Sequence, residues 1–426
     1  MEGSKQYIHV IPSNQPANAK IGYNNGNPMI NFNIGSQERF LIGESVRLTG
    51  KFKLYKPDGN DYLEEDLVTI DPVLGVASVL EQITISSKRT NQTIEQIKDY
   101  NKFLASYYKA KEDQYELETS ESLTSLKAGS INAERSLQME NNGTELDFSI
   151  QIPTGLLNSS ELIPLSDSWG TGGLLIQINL APDSNVLFGY DGAELDVDQK
   201  GYYLLSNVAL NAVVHQPTGA DLKKAMANTS MEYNSISSYY QVLNSSYATI
   251  NFNLGLSKVI SAFINVVRSS NINSYSHGLA TNGIQNTSGD NVNITNVQWL
   301  KNNMLYPNQY QIQDFTNNSA FYEPQLVRQF LNSIDEFSKI KSYEVYDGVN
   351  MKKNYAFREY GDYVGNAFGI GVRYDSLSDQ GADFSSEQIG LIIESALQDA
   401  TPNSVYLFCL SRQIITFGAG GINVIK

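Results

Sequence analysis

The chain has 426 residues, of which 41% are apolar and 18% charged, and its formal net charge is −15. That length accommodates two or three domains at roughly 100–200 residues each. With 26 Tyr, 17 Phe and 42 Asn the composition is that of a β-rich, loop-rich protein, and it excludes collagen-like, coiled-coil and disordered classes.

The acidic balance, with a sequence pI near 4.7, argues against sequence-independent phosphate binding as the main task. Lys5 and Lys20 are the only cations in the first 30 residues, so no basic arm is expected. The single Cys409 has no partner for an internal disulfide, and its apolar surroundings, Val405 to Leu410, predict a small buried hydrophobe. The start lacks the apolar stretch of a signal peptide, and no apolar run reaches the ~18 residues of a membrane span. Eight Asn-x-Ser/Thr matches occur and carry no weight without a secretion signal.

In chain order, residues 1–27 read as an N-terminal arm. Ile30-Asn-Phe-Asn-Ile-Gly35, the alternation of Val46, Leu48 and Phe52, and Leu80 to Ser86 read as strands with one buried face. From Thr93 to Tyr108 the spacing of Ile94, Ile97, Tyr100, Phe103, Leu104 and Tyr107 predicts a helix packed on a sheet. Residues 109–145 form a long polar connection, and Phe148 to Ile152 resume the two-residue period. Gly170-Thr-Gly-Gly173 reads as a hairpin turn before the strand Gly173 to Leu180. Residues 217–245 read as a linker with a short helix over 220–227. Beyond it lie strand patterns at Ile250 to Gly255, Val259 to Val267, Phe368 to Val372, Gly390 to Leu397, Val405 to Leu410 and Ile422 to Ile425. A polar stretch over 269–295 and a second helical stripe, Pro324 to Ile340, interrupt them.

The chain repeats itself. Ile30-Asn-Phe-Asn-Ile-Gly35 recurs as Ile250-Asn-Phe-Asn-Leu-Gly255, an offset of 220 residues, and Phe148 to Ile152 recurs as Phe368 to Val372 at the same offset. Gly173 to Leu180 has a counterpart in Gly390 to Leu397 at an offset of 217. The expectation is two copies of one β domain, 28–216 and 246–426. Many strands, few helices and long insertions make each an antiparallel sandwich of the jelly-roll kind.

Chemistry is sparse. His9, His215 and His277 show no metal-ligand spacing, no Gly-x-Ser-x-Gly elbow is present, and one Cys cannot build a zinc site. The acidic loops Asp58-Gly-Asn-Asp61 and Asp191 to Asp198 do not fit a Ca²⁺ loop and read as solvated turns. No catalytic, cofactor or metal residue is singled out. Two other classes remain open on composition. One is a carbohydrate-binding or adhesin-like tandem sandwich with an exposed aromatic platform. The other is a jelly-roll glycoside hydrolase, which needs two carboxyl groups about 5–10 Å apart.

Gly75-Val-Ala-Ser-Val-Leu-Glu-Gln-Ile-Thr-Ile-Ser-Ser87 followed by Gln92 to Asn101 resembles a strand–turn–helix signature of double jelly-roll major capsid proteins. That lineage includes tectiviruses, adenoviruses, virophages and polinton-like viruses, and the chain is most similar to the last two. Phe368 to Ile393 and Ser404 to Ile425 resemble the family's distal roll. The resemblance implies two tandem eight-stranded antiparallel jelly rolls in an all-β chain and a non-enzymatic role in the virion. It implies trimers that form pseudo-hexagonal capsomers tiling an icosahedral shell assembled inside the host cell. The implied partners are further copies of the chain together with minor capsid and penton proteins, with no sequence-specific nucleic acid and no cofactor.

Overall fold

A computed structural model describes residues 3–111, 145–189, 195–219, 229–269, 294–306, 369–374, 381–395 and 403–426 apart from a few isolated positions, with parts of 272–275, 310–311 and 329–337 and residue 223. The first half contains β1 (Gly3–Val10), β2 (Met29–Gly35), β3 (Phe40–Tyr55), β4 (Val68–Ile70), β5 (Leu80–Ser87), β6 (Thr93–Lys98), α1 (Tyr100–Lys111), β7 (Leu146–Gln151), β8 (Ile163–Pro164), β9 (Gly173–Leu180), β10 (Leu187–Gly189) and β11 (Tyr202–Pro217). The second contains β12 (Ser230–Leu243), β13 (Tyr247–Asn253), β14 (Leu256–Arg268), β15 (Ile294–Lys301), β16 (Met304–Leu305), β17 (Tyr310–Gln311), β18 (Gly369–Arg373), β19 (Ala382–Phe384), β20 (Gln388–Ser395), β21 (Asn403–Gly418) and β22 (Gly421–Ile425).

The main strands of the first half pair as β1-β11-β3-β7 in one sheet and β2-β9-β5-β6 in the other. Those of the second half pair as β12-β21-β14-β18 and β13-β20-β15-β16. Strand for strand the two orders are the same. Every ladder between these strands is antiparallel, and the chain passes from one facing sheet to the other at each step except the β5–β6 and β15–β16 hairpins, which is the jelly-roll winding. The repeated segments fall on equivalent strands: Ile30 and Ile250 on β2 and β13, Ile150 and Ile370 on β7 and β18, Leu174 and Leu391 on β9 and β20.

The two-residue period explains the layering. On β2, Ile30, Phe32 and Ile34 are buried and alternate with half-exposed Asn31 and Asn33; β9 answers with Ile176 and Ile178. Each such side chain contributes about 1.5–3 kcal/mol on burial, which favours this register over a one-residue slip.

Three expectations are corrected. Residues 3–10 of the presumed arm form β1, paired along its whole length with β11 from Gly3↔Pro217 to Val10↔Leu210. Its residues are almost all exposed, so the pairing rests on the backbone and leaves no apolar alternation to read. Residues 230–243 of the presumed linker form β12, paired with β21 from Ser230↔Thr416 to Leu243↔Asn403. The long helix from Thr93 is instead strand β6 followed by α1, with Asp99 at φ 51 between them. Ile94 and Ile97 share helical spacing because the β5–β6 register shifts between Thr93 and Glu95, leaving Ile94 as an extra residue in the strand; both isoleucines are buried, and Glu95 is buried toward the second roll. Most of 220–227, most of 269–295 and nearly all of 109–145 lie outside the described residues. Of the Pro324 to Ile340 stripe, Phe330, Ile334 and Phe337 are described, buried and in part helical.

Candidate assembly site at the seam between the rolls

Among the described residues no group of three or more His, Cys, Asp or Glu could hold a metal ion, and no helix is long and apolar enough to cross a membrane. Asp58 closes its own turn by accepting the Asn60 N–H at 2.9 Å, and Asp61 is ion-paired with Lys53 at 2.9 Å. Of the loop at 191–198, the residues before Leu195 lie outside the described ones. His9 faces Asn211 at 2.8 Å, His215 is buried on β11, and His277 lies outside the described residues. Cys409 is buried, and burial pushes its thiol up. Gly170 to Gly173 is a crossing between sheets, from β8 beside β3 to β9 beside β2, rather than a hairpin. Gly170, at φ 79, lets this crossing press on the β21–β22 turn, because a Cβ there would sit 2.4 Å from the Gly418 carbonyl oxygen.

What the residues do build is a dense contact between the two rolls. From the first roll α1 lays Phe103 against the outer face of the second roll's β21 and β14. Its ring centroid lies 6.2 Å from Phe263, 5.7 Å from Phe408 and 5.9 Å from Phe337. Lys102, beside it, is buried with its ammonium 4.7 Å from the Tyr406 ring centroid and 3.5 Å from Asp99. Asn265 of β14 donates to the Lys102 carbonyl at 3.3 Å, tying the helix backbone to the second roll.

Along the same seam the edge strand β6 runs beside the edge strand β12. The Tyr233 hydroxyl reaches the Ile94 carbonyl at 2.9 Å, and the Lys98 N–H donates to Ser238 Oγ at 2.8 Å. Glu95, fully buried between the rolls, accepts the Ile236 N–H at 2.7 Å, the Leu156 N–H at 2.9 Å and the Gly155 N–H at 3.1 Å. Burial pushes its carboxyl up, and these hydrogen bonds pull against that rise. A cleft of about 340 Å³ opens beside it, lined by Ser159, Glu161, Glu232, Tyr233, Phe337 and Arg412 among others; Glu232 is ion-paired with Arg412 at 3.1 Å.

No family model and no curated protein matches this chain. Solved structures do. The PBCV-1 virus capsid model aligns with a TM-score of 0.56 at 12% identity, covering 100% of this chain and 97% of that one. The mavirus major capsid protein aligns at 0.54 and 12% identity, covering 98% and 90%, and the Faustovirus major capsid protein at 0.57 and 9%, covering 98% and 91%. The fold is the double jelly roll of viral major capsid proteins.

In this double jelly roll the seam residues were mostly invisible beforehand. Phe103 stands out through its helical spacing. Glu95, Gly155 and Ile236 do not, since their partners are 60 to 141 positions away in sequence.

Proposed function

We propose that the chain is a viral major capsid protein: a structural, non-enzymatic component of the virion that acts as a homotrimer and tiles an icosahedral shell. The division we adopt is a first roll over 3–217 and a second over 230–426. The observation that carries the reading is an unequal pair of edges. In the second roll the edge strand β12 is covered by β6 of the first roll. In the first roll the equivalent edge strand, β1, is exposed along nearly its whole length, and Tyr7 on it is 85% exposed.

If another copy repeats the internal seam, its second roll covers β1 of the first copy. Such a contact joins two different surfaces, so it either runs on as a filament or closes into a ring. With two rolls per chain, three copies close a ring of six similar rolls. The likeness to capsid proteins over nearly the full length supports this reading. Light scattering on the purified chain tests it. The expected mass is about three times 47.2 kDa, with trimeric tiles of near six-fold outline in electron micrographs. A species that stays monomeric at every concentration overturns it.

A further inference from the structure

We infer that Glu95 is the latch that makes the two rolls one cooperative unit. The latch acts within one chain, whatever that chain assembles into. A fully buried carboxylate is tolerated only where its oxygens are satisfied. Every partner of Glu95 is a donor: the N–H groups of Gly155, Leu156 and Ile236, with the Thr154 hydroxyl beside them. One oxygen, Oε1, takes Gly155 from the first roll and Ile236 from the second, so a single atom bridges the two.

The Ile236 N–H has no alternative on its own sheet. Glu95 meets it on the side of β12 away from β21, where the strand is at the sheet edge. Without the carboxylate it is a buried donor with nothing to bond. The approach is held close by Gly155, where a Cβ would lie 1.8 Å from the Asn234 carbonyl oxygen. A β-carbon would wedge the turn away from β12 and pull Glu95 out of reach of Ile236. The Tyr233 and Ser238 contacts flank the latch on the same strand and align it.

The test is residue-resolved hydrogen exchange on the full chain, wild type against Glu95→Gln. The amide keeps the shape of the carboxyl but turns one acceptor into a donor facing N–H groups. The expected result is at least a tenfold loss of protection at Ile236 and its β12 neighbours, with Ile176 and Ile178 of β9 unchanged. Calorimetry is expected to split one transition into two. Protection that is unchanged, or that falls equally in both rolls, overturns the proposal. Should Glu95→Gln not fold, the wild type in mild denaturant decides. Ile236 exchanging only with global unfolding supports the latch, and Ile236 exchanging through an independent local opening overturns it.

Discussion

The two rolls share a topology, yet one face of them is built from opposite chemistry. The strand registers make Arg47, Asn211 and Gln151 on the first roll the counterparts of Phe263, Phe408 and Gly371 on the second. Both triplets lie in one row across the same sheet, on its outer side. In the first roll the row is polar and half-exposed or exposed at Arg47, Asn211 and Gln151. In the second it is buried beneath α1 and the segment carrying Phe330 and Phe337. Duplication supplied the scaffold, and what covers each sheet then dictated its outer residues. The inner rows stayed apolar in both, with Leu48 and Leu210 answering Ile264 and Leu407.

The sharpest way to break this comparison is at its centre. Phe263→Ala removes a ring that touches Phe103, Phe330, Phe337 and Phe408, so we expect a loss of about 3–5 kcal/mol in chemical denaturation. Arg47→Ala at the equivalent place loses its hydrogen bonds to Ser149, at 2.9 and 2.8 Å, in a half-exposed setting, and is expected to cost less than about 1.5 kcal/mol. Equal losses would mean that the covering of the second sheet contributes little.

Next in size is the close approach at the end of that row. A Cβ at Gly371 would stand 1.9 Å from Ser333 Oγ and 3.1 Å from Phe330 Cα, so Gly371→Ala must lift the segment off the sheet. We expect about 1–3 kcal/mol of destabilisation and new protease cleavage near 330, whereas Gln151→Ala is expected to stay within about 0.5 kcal/mol.

How much of this was legible in the sequence follows from where each signal originates. Alternation such as Ile30, Phe32 and Ile34 reports a sheet with one buried face, so both rolls and their repeat could be read. A strand buried on both faces, like the stretch of β14 around Phe263, reads only as a continuous apolar run. Strand β1 buries almost nothing, so Gly3 to Val10 looked like an arm, although its backbone completes a sheet. The seam was hidden for another reason: Glu95 lies off the apolar stripe of the helix expected from Thr93, and its burial in β6 follows only once the second roll is placed against it.

A smaller effect concerns the charge under α1. Burial opposes a charge on Lys102, but Glu81, Tyr406 and Asp99 together outweigh it and hold the ammonium above its ordinary 10.5. For a base raised in the folded state the stabilisation is complete below the unfolded value and is lost as pH climbs through the folded one. Stability should therefore be flat in this respect below about pH 10 and fall as pH climbs past 10.5, and Lys102→Met should flatten part of that slope in urea titrations. A slope identical in the variant would place the alkaline sensitivity elsewhere, for example in Tyr406, which burial pushes up to about 12.

The smallest effect on the folded chain is expected at the edge the second roll covers and the first leaves open. Tyr7 lies on β1 with 85% of its surface exposed, so Tyr7→Asp has almost no buried contact to lose. Its thermal unfolding as a monomer is expected to shift by the equivalent of less than about 0.5 kcal/mol. At an interface the same change places a charge where another copy would have to strip its water, a cost of roughly 1–3 kcal/mol or more per contact, repeated at each contact of a closed ring. Sedimentation of Tyr7→Asp beside wild type separates these expectations: an unchanged fold with weakened trimers locates the open edge at the assembly contact. A variant that trimerises as well as wild type moves that contact off β1, and with it the idea that the seam inside the chain is the template for the seam between chains.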